Sequence, residues 1–169
     1  MNRLRKLKSY ASYEILCKIN RDEIIFDDRT TALFLQTVER CKKKYSFRFY
    51  NFSIMENHVR YMLTPGRNSP LPKIMQWINS VFAKAYNKLT GQSGHVWKER
   101  YYSRIIETTE QFISTFEYIV RTPLEANLVQ NAKDYRGSGL YHYLHKIQDL
   151  ITEDPKIRQL YEHCKDFHN

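Results

Sequence analysis

The hydrophobic period of this chain switches back and forth between two residues and about 3.6, and that succession restricts the folds open to it. From Tyr13 to Ile19, residues Tyr13, Ile15, Cys17 and Ile19 alternate onto one face, which predicts a strand. Asp27-Asp28 can cap a helix that follows from Thr31 to Lys44, with Leu33, Phe34, Val38 and Cys41 at helical spacing. Lys42-Lys43-Lys44 suits the negative pole at its end. Ser46 to Ile54 is rich in β-formers, and Met55 to Leu63 alternates after a short turn, so the two predict a hairpin. A loop with three prolines follows, and then a single apolar stripe: Leu71, Ile74, Met75, Ile78, Phe82, Ala85 and Leu89. Gly91 to Gly94 ends that helix. Tyr101 to Thr108 reads as a fourth strand, and Thr109 to Arg121 as a helix closed by Pro123. Residues 124 to 145 read as short and irregular, and Ile147 to Phe167 as a helical extension broken near Pro155.

The order β-α-β-β-α-β-α buries its apolar faces most simply as one antiparallel sheet with helices laid on it. The expectation is α+β, a ferredoxin-like sheet with a helical C-terminal tail. Residues 1–9 form a basic arm, 10–145 the domain and 146–169 the tail. That fold serves many unrelated functions and says little about activity.

The 169 residues suit one core. The net charge of +9 and an aromatic content of 14% suit a polyanionic partner, because neutralising phosphate and stacking on bases need those residue types. Cys17, Cys41 and Cys164 show neither zinc spacing nor CxxC pairing, which predicts reduced thiols and a cytoplasmic protein. No apolar run approaches membrane-spanning length, so no membrane partner is expected.

On the strand from Met55 to Leu63, alternation puts His58 and Arg60 on one face and Val59, Tyr61 and Leu63 on the other. An imidazole is a plausible metal ligand, but arginine is always charged and has no lone pair to give. In the helix from Thr109, Phe112, Ile113, Phe116, Ile119 and Val120 share one side. Tyr118 falls nearly opposite, with Thr122 one turn further on. A phenol can attack a phosphodiester and hold the strand as a phosphotyrosine. Its ordinary pKa near 10 means that it needs help, usually from a divalent cation. His142 and His145 are three apart, a spacing common among surface histidines.

Met-Glu-Asn-His-Val-Arg at 55–60 resembles the Met-Pro-Asn-His-Val-His block of the IS200-like transposases, the single-tyrosine group of HUH endonucleases, and most of all their REP-associated branch. Tyr13 to Phe26 is similar to that family's opening strand and turn. Gly94-His95-Val96-Trp97-Lys98-Glu99-Arg100-Tyr101-Tyr102-Ser103 resembles its Gly-x-Phe/Trp-x-x-Arg-Tyr-x-Ser segment. Tyr118-Ile119-Val120-Arg121-Thr122-Pro123 with Ala126 and Leu128-Val129 resembles its Tyr-Ile-x-x-Asn-Pro block, and Tyr135 to Leu144 its tyrosine-rich ending. The resemblance implies a domain that binds single-stranded or hairpin DNA. It further implies cleavage by Tyr118 to a 5′-phosphotyrosine, with Mg²⁺ or Mn²⁺ held in part by His58. Members occur as monomers and as homodimers.

Three positions depart from the family pattern. Arg60 stands for the second histidine, Thr122 for an Asn or Gln ligand, and Glu14 for a histidine of the opening strand. Two of three expected metal ligands are therefore replaced. Three functional readings follow, the RNA-binding one ranked last. The first is a DNA strand-transferase in which Arg60 shares the metal's task at the scissile phosphate. The second is a DNA-binding descendant with impaired chemistry, and the third an RNA-binding module. The ligand arithmetic favours binding over efficient cleavage. Arg48, Lys84, Lys88, Lys98, Arg100 and Arg104 are the candidate phosphate contacts, with Trp97, Tyr101 and Tyr102 as candidate stacking platforms.

Overall fold

The computed structural model describes residues 7–20, 26–147 and 149–169. Most of the expected arm, and part of the segment from Tyr13 to Phe26, lie outside the described residues. The elements are β1 (Ser12–Lys18), α1 (Asp28–Lys44), β2 (Phe47–Ile54), β3 (His58–Pro65), α2 (Leu71–Thr90), β4 (Tyr102–Ile106), α3 (Thr109–Glu125), a 3₁₀ turn at Ala132–Asp134, α4 (Gly139–His145) and α5 (Pro155–Cys164). The strands form one antiparallel sheet in the order β2-β3-β1-β4. This is the α+β architecture expected from the alternating periods.

The two faces of the sheet have different tasks. Tyr13, Ile15 and Cys17 of β1 and Val59, Tyr61 and Leu63 of β3 are buried beneath α1 and α2. There Phe34 of α1 meets Tyr61 at 6.1 Å and Phe82 of α2 at 5.4 Å between ring centroids. Asp27 starts α1 with a reciprocal cap: its carboxylate accepts from the Thr30 amide at 2.8 Å, and its own amide donates to the Thr30 hydroxyl. Gly91 closes α2 at φ 68°, a left-handed conformation that suits glycine.

The other face is only partly covered. A bulge between Phe49 and Asn51 turns Tyr50 and Asn51 toward α3. Tyr50 packs edge-on against Phe112, and Asn51 Nδ2 donates to the Phe116 carbonyl at 3.1 Å. Helix α3 therefore lies over β2 and part of β3, leaving the outer half of the sheet open. It continues to Glu125 and so passes through Pro123, where the sequence predicted a stop. Proline cannot donate to the carbonyl four residues back, and the turn is held instead by the Ala126 amide on the Thr122 carbonyl and by Asn169 Nδ2 on the Leu124 carbonyl. The stretch expected to be irregular contains α4, and the helical part of the tail is confined to α5.

The tail seals the outer edge of β2. Thr152 donates its amide to the Phe49 carbonyl and accepts the Phe49 amide on its hydroxyl, at 2.7 and 3.0 Å. The Ile54 amide donates to the Gly137 carbonyl. Tyr161 of α5 is fully buried and donates to the Tyr50 carbonyl at 2.6 Å. Gly139 passes so close to this point that a Cβ would sit 2.5 Å from Asn51 Oδ1 and 2.6 Å from the Tyr161 hydroxyl. The end of the chain then fastens α3: Arg121 lies 3.9 Å from the Phe167 ring centroid, and Asn169 Nδ2 donates to the Leu124 carbonyl.

Two outcomes follow. Tyr161→Phe leaves the Tyr50 carbonyl buried without that donor and lowers unfolding free energy by about 1–3 kcal/mol, read from the urea midpoint. His142 packs edge-on against Phe52, and its pKa is lowered chiefly by burial, then by His145, against an opposing hydrogen bond to the Arg136 carbonyl. A depressed histidine stabilises the fold fully above its ordinary value, about 6.5, and loses that contribution as pH falls through it, because the unfolded chain binds the proton first. His142→Gln should therefore lose less melting temperature than the parent between about pH 7.5 and about pH 5.5.

Candidate functional site

Strand register lays out the open face as rows. Arg60 of β3 lies opposite Leu16 of β1 and Ser53 of β2, and Leu16 lies opposite Tyr102 of β4. In the neighbouring row Glu14 lies opposite Met62 on one side and Arg104 on the other. Arg60 is thus the diagonal neighbour of Glu14, and both bond to it. Arg60 Nη1 donates to Glu14 Oε1 at 2.7 Å. Arg104 Nε and Nη2 reach Glu14 Oε2 at 2.9 and 2.8 Å. Glu14 is only 4% exposed, so its carboxylate is a buried anion held between two guanidinium groups.

Tyr118 completes the cluster. Its ring sits under Arg60, with the guanidinium carbon 5.1 Å from the ring centroid. At 42% exposure the ring stays accessible from solvent, as its place opposite the apolar side of α3 predicted. Arg104 Nη2 also donates to Thr115 Oγ1, which ties β4 to the same helix.

His58 occupies the next row, opposite Lys18. Its Nδ1 lies 2.8 Å from Asn57 Oδ1, so the ring donates there and keeps the Nε2 lone pair. Its pKa is lowered by burial first, then by the charges of Arg60 and Lys18. A cavity of about 490 Å³ is lined by Leu16, Lys18, Ile19, Asn57, His58, Arg60 and Lys98. A second, of about 260 Å³, is lined by Leu16, Lys18, Glu99, Arg100 and Tyr102. They share Leu16 and Lys18 and form one basic trough along the uncovered side of the sheet.

A divalent cation does not fit these residues. Arg60 offers no lone pair, and its charge already faces the place a cation would take. The Thr122 hydroxyl donates to the Tyr118 carbonyl at 3.0 Å, which holds it against its own helix and leaves its oxygen only a weak, neutral ligand. Among the described residues, no three His, Cys, Asp or Glu side chains are grouped to hold a metal. His142 and His145 form no pair, since the first is buried and the second stacks on Tyr141.

Of the sequence-derived candidates, Tyr118, Arg60, His58, Lys98, Arg100 and Arg104 line or adjoin this face. Five others do not join them. Trp97 packs on Phe34 and Phe82 and donates its indole N–H to the Asn79 carbonyl, so it is half-buried against the core. Tyr101 is 8% exposed and part of the core. Lys84 and Lys88 are exposed on α2, which packs on the opposite face. Arg48 sits in the last row, opposite Thr64, and pairs with Asp154 of the tail at 2.8 Å. Sequence reasoning passed over Lys18 and Leu16, although the β1 alternation puts both on the Glu14 face.

Residues 8–122 match the model of the family described as Transposase IS200 like. The chain belongs to the IS200-like transposase family. A solved structure described as a REP-associated tyrosine transposase bound to a REP hairpin matches with a TM-score of 0.74 at 12% identity. That match covers 91% of this chain and 92% of the other, and at such identity it speaks for the fold. A Deinococcus radiodurans protein provisionally described as a transposase matches at a TM-score of 0.49 and 13% identity, over 70% of this chain and 95% of that one. No curated protein matches the chain.

Within this IS200-like transposase, the carboxylate of Glu14 is the counter-charge on which Arg60 depends. Glu14→Gln should cost about 3 kcal/mol, because it leaves a largely buried guanidinium unpaired. Adding Arg60→Met should recover most of that loss in the urea midpoint, since no orphaned charge then remains.

Proposed function

We propose that this family member binds single-stranded or hairpin DNA on the open sheet face, with Arg60 seating a backbone phosphate. The observation that carries the reading is the union of Arg60, the half-exposed Tyr118 and the neutral-leaning His58 at one end of a basic trough. Nη1 of Arg60 is held by Glu14, which restrains the guanidinium's direction at little conformational cost to a ligand. Lys18, Lys98 and Arg100 supply further positive charge beside it. The reading also draws on the family, and on the hairpin bound to the fold-mate described above. Helix α3 packs on its own sheet, so the site needs no second copy of the chain.

Because the side chains do not fit a divalent ion, binding on this reading is independent of metal. A fluorescent DNA hairpin with an unpaired extension should bind with the same affinity in EDTA as in Mg²⁺ or Mn²⁺. Affinity should fall steeply with salt, and Lys98→Ala and Arg100→Ala should each reduce the logarithmic salt slope by about 1. Salt-insensitive binding, or equal affinity for the RNA form of the same hairpin, would count against the reading.

The exposure of Tyr118 beside Arg60 favours a second reading, in which the protein also cuts. The Tyr118 oxygen would form a bond to phosphorus as the bond from phosphorus to the 3′ oxygen breaks. The phenolic proton passes to solvent, and the released 3′ oxygen takes one from it. Arg60 would offset charge on the phosphoryl oxygens. A covalent protein–DNA adduct, formed in EDTA and lost in Tyr118→Phe, is the expected mark. Conversely, the pair Arg60→His and Thr122→Asn should make nicking depend on Mn²⁺ if the remaining site is intact.

A further inference from the structure

We infer that Tyr102, with Leu16 beside it, forms a stacking platform for one unpaired DNA base next to the Arg60 phosphate seat. This rests on the DNA-binding reading and adds to it the residue that receives a base.

Three observations lead there. Tyr102 is 55% exposed although it lies within β4, on the sheet face that carries the site. The apolar rings of neighbouring elements are taken up elsewhere: Tyr101 is buried in the core and the half-buried Trp97 packs against it, while Tyr102 is left outside. Coverage by α3 ends over β2 and β3, with Arg104 reaching Thr115 at its margin, so among the described residues no helix lies over the end of the sheet where Leu16 and Tyr102 face each other.

The surroundings suit a nucleotide. Tyr102, Leu16 and Arg60 stand in one row across β4, β1 and β3. Strands lie about 4.8 Å apart, so the row places the backbone positions of Tyr102 and Arg60 roughly 10 Å apart. One nucleotide bridges such a span, with its phosphate at Arg60 and its base over the ring. Arg100 forms a further wall of the smaller cavity and Lys18 lies between the two cavities, which gives the phosphates on either side a positive partner. A tyrosine face stacks on any base, so the platform selects unpaired over paired DNA and reads little sequence.

The test uses the full chain and a DNA hairpin with a single-stranded extension carrying 2-aminopurine at successive positions. The parent should quench the probe at one position. Tyr102→Ala should abolish that quenching and weaken binding roughly 5- to 150-fold. Tyr102→Phe and Tyr102→Trp should retain both, since the ring and not the hydroxyl does the stacking. Circular dichroism melting of each variant checks that an exposed position has left the fold intact. Parent-like affinity and quenching in Tyr102→Ala would overturn the platform while salt-dependent binding by the parent still stands. Failure of the parent to bind any DNA would overturn both.

Discussion

One buried carboxylate organises the functional face. Glu14 accepts hydrogen bonds from Arg60 on one neighbouring strand and Arg104 on the other, so a single side chain ties together β1, β3 and β4. Arg104 carries the tie on to α3, and Arg60 lies over the tyrosine of that helix. Two cations and one anion leave a net positive centre. That arrangement attracts phosphate and repels a metal ion, so the electrostatic preference of the site follows from the strand register itself.

The fold was legible in the sequence because its two kinds of period are cleanly separated. The Phe34, Val38 and Cys41 stripe and the Tyr13, Ile15 and Cys17 alternation each admit one element type. The placement of Tyr118 was legible for the same reason, since it breaks the apolar side of α3. The Glu14 bridge was not. A glutamate in an apolar strand shows its position, but its partners come from residues 46 and 90 positions away, and only the register brings them together.

The aromatic residues show where sequence reasoning stops. Trp97, Tyr101 and Tyr102 lie within six residues and look alike as stacking candidates. Their separation depends on a loop that turns Trp97 onto Phe82 and on the start of β4, which directs Tyr101 inward and Tyr102 outward. Neither is written in local composition. Pro123 is a similar case, because a rule for helix interiors carries little weight in a last turn held by tertiary contacts.

Covering of the β2 edge has a consequence for self-association. Thr152 and Gly137 already use backbone groups along that strand, and Tyr161 anchors the cover from behind. Another chain could lengthen the sheet there only after the C-terminal segment had been stripped away, taking with it the fastening of the tyrosine helix. Pairing through that margin would therefore carry the cost of a local unfolding event and loosen the support of Tyr118.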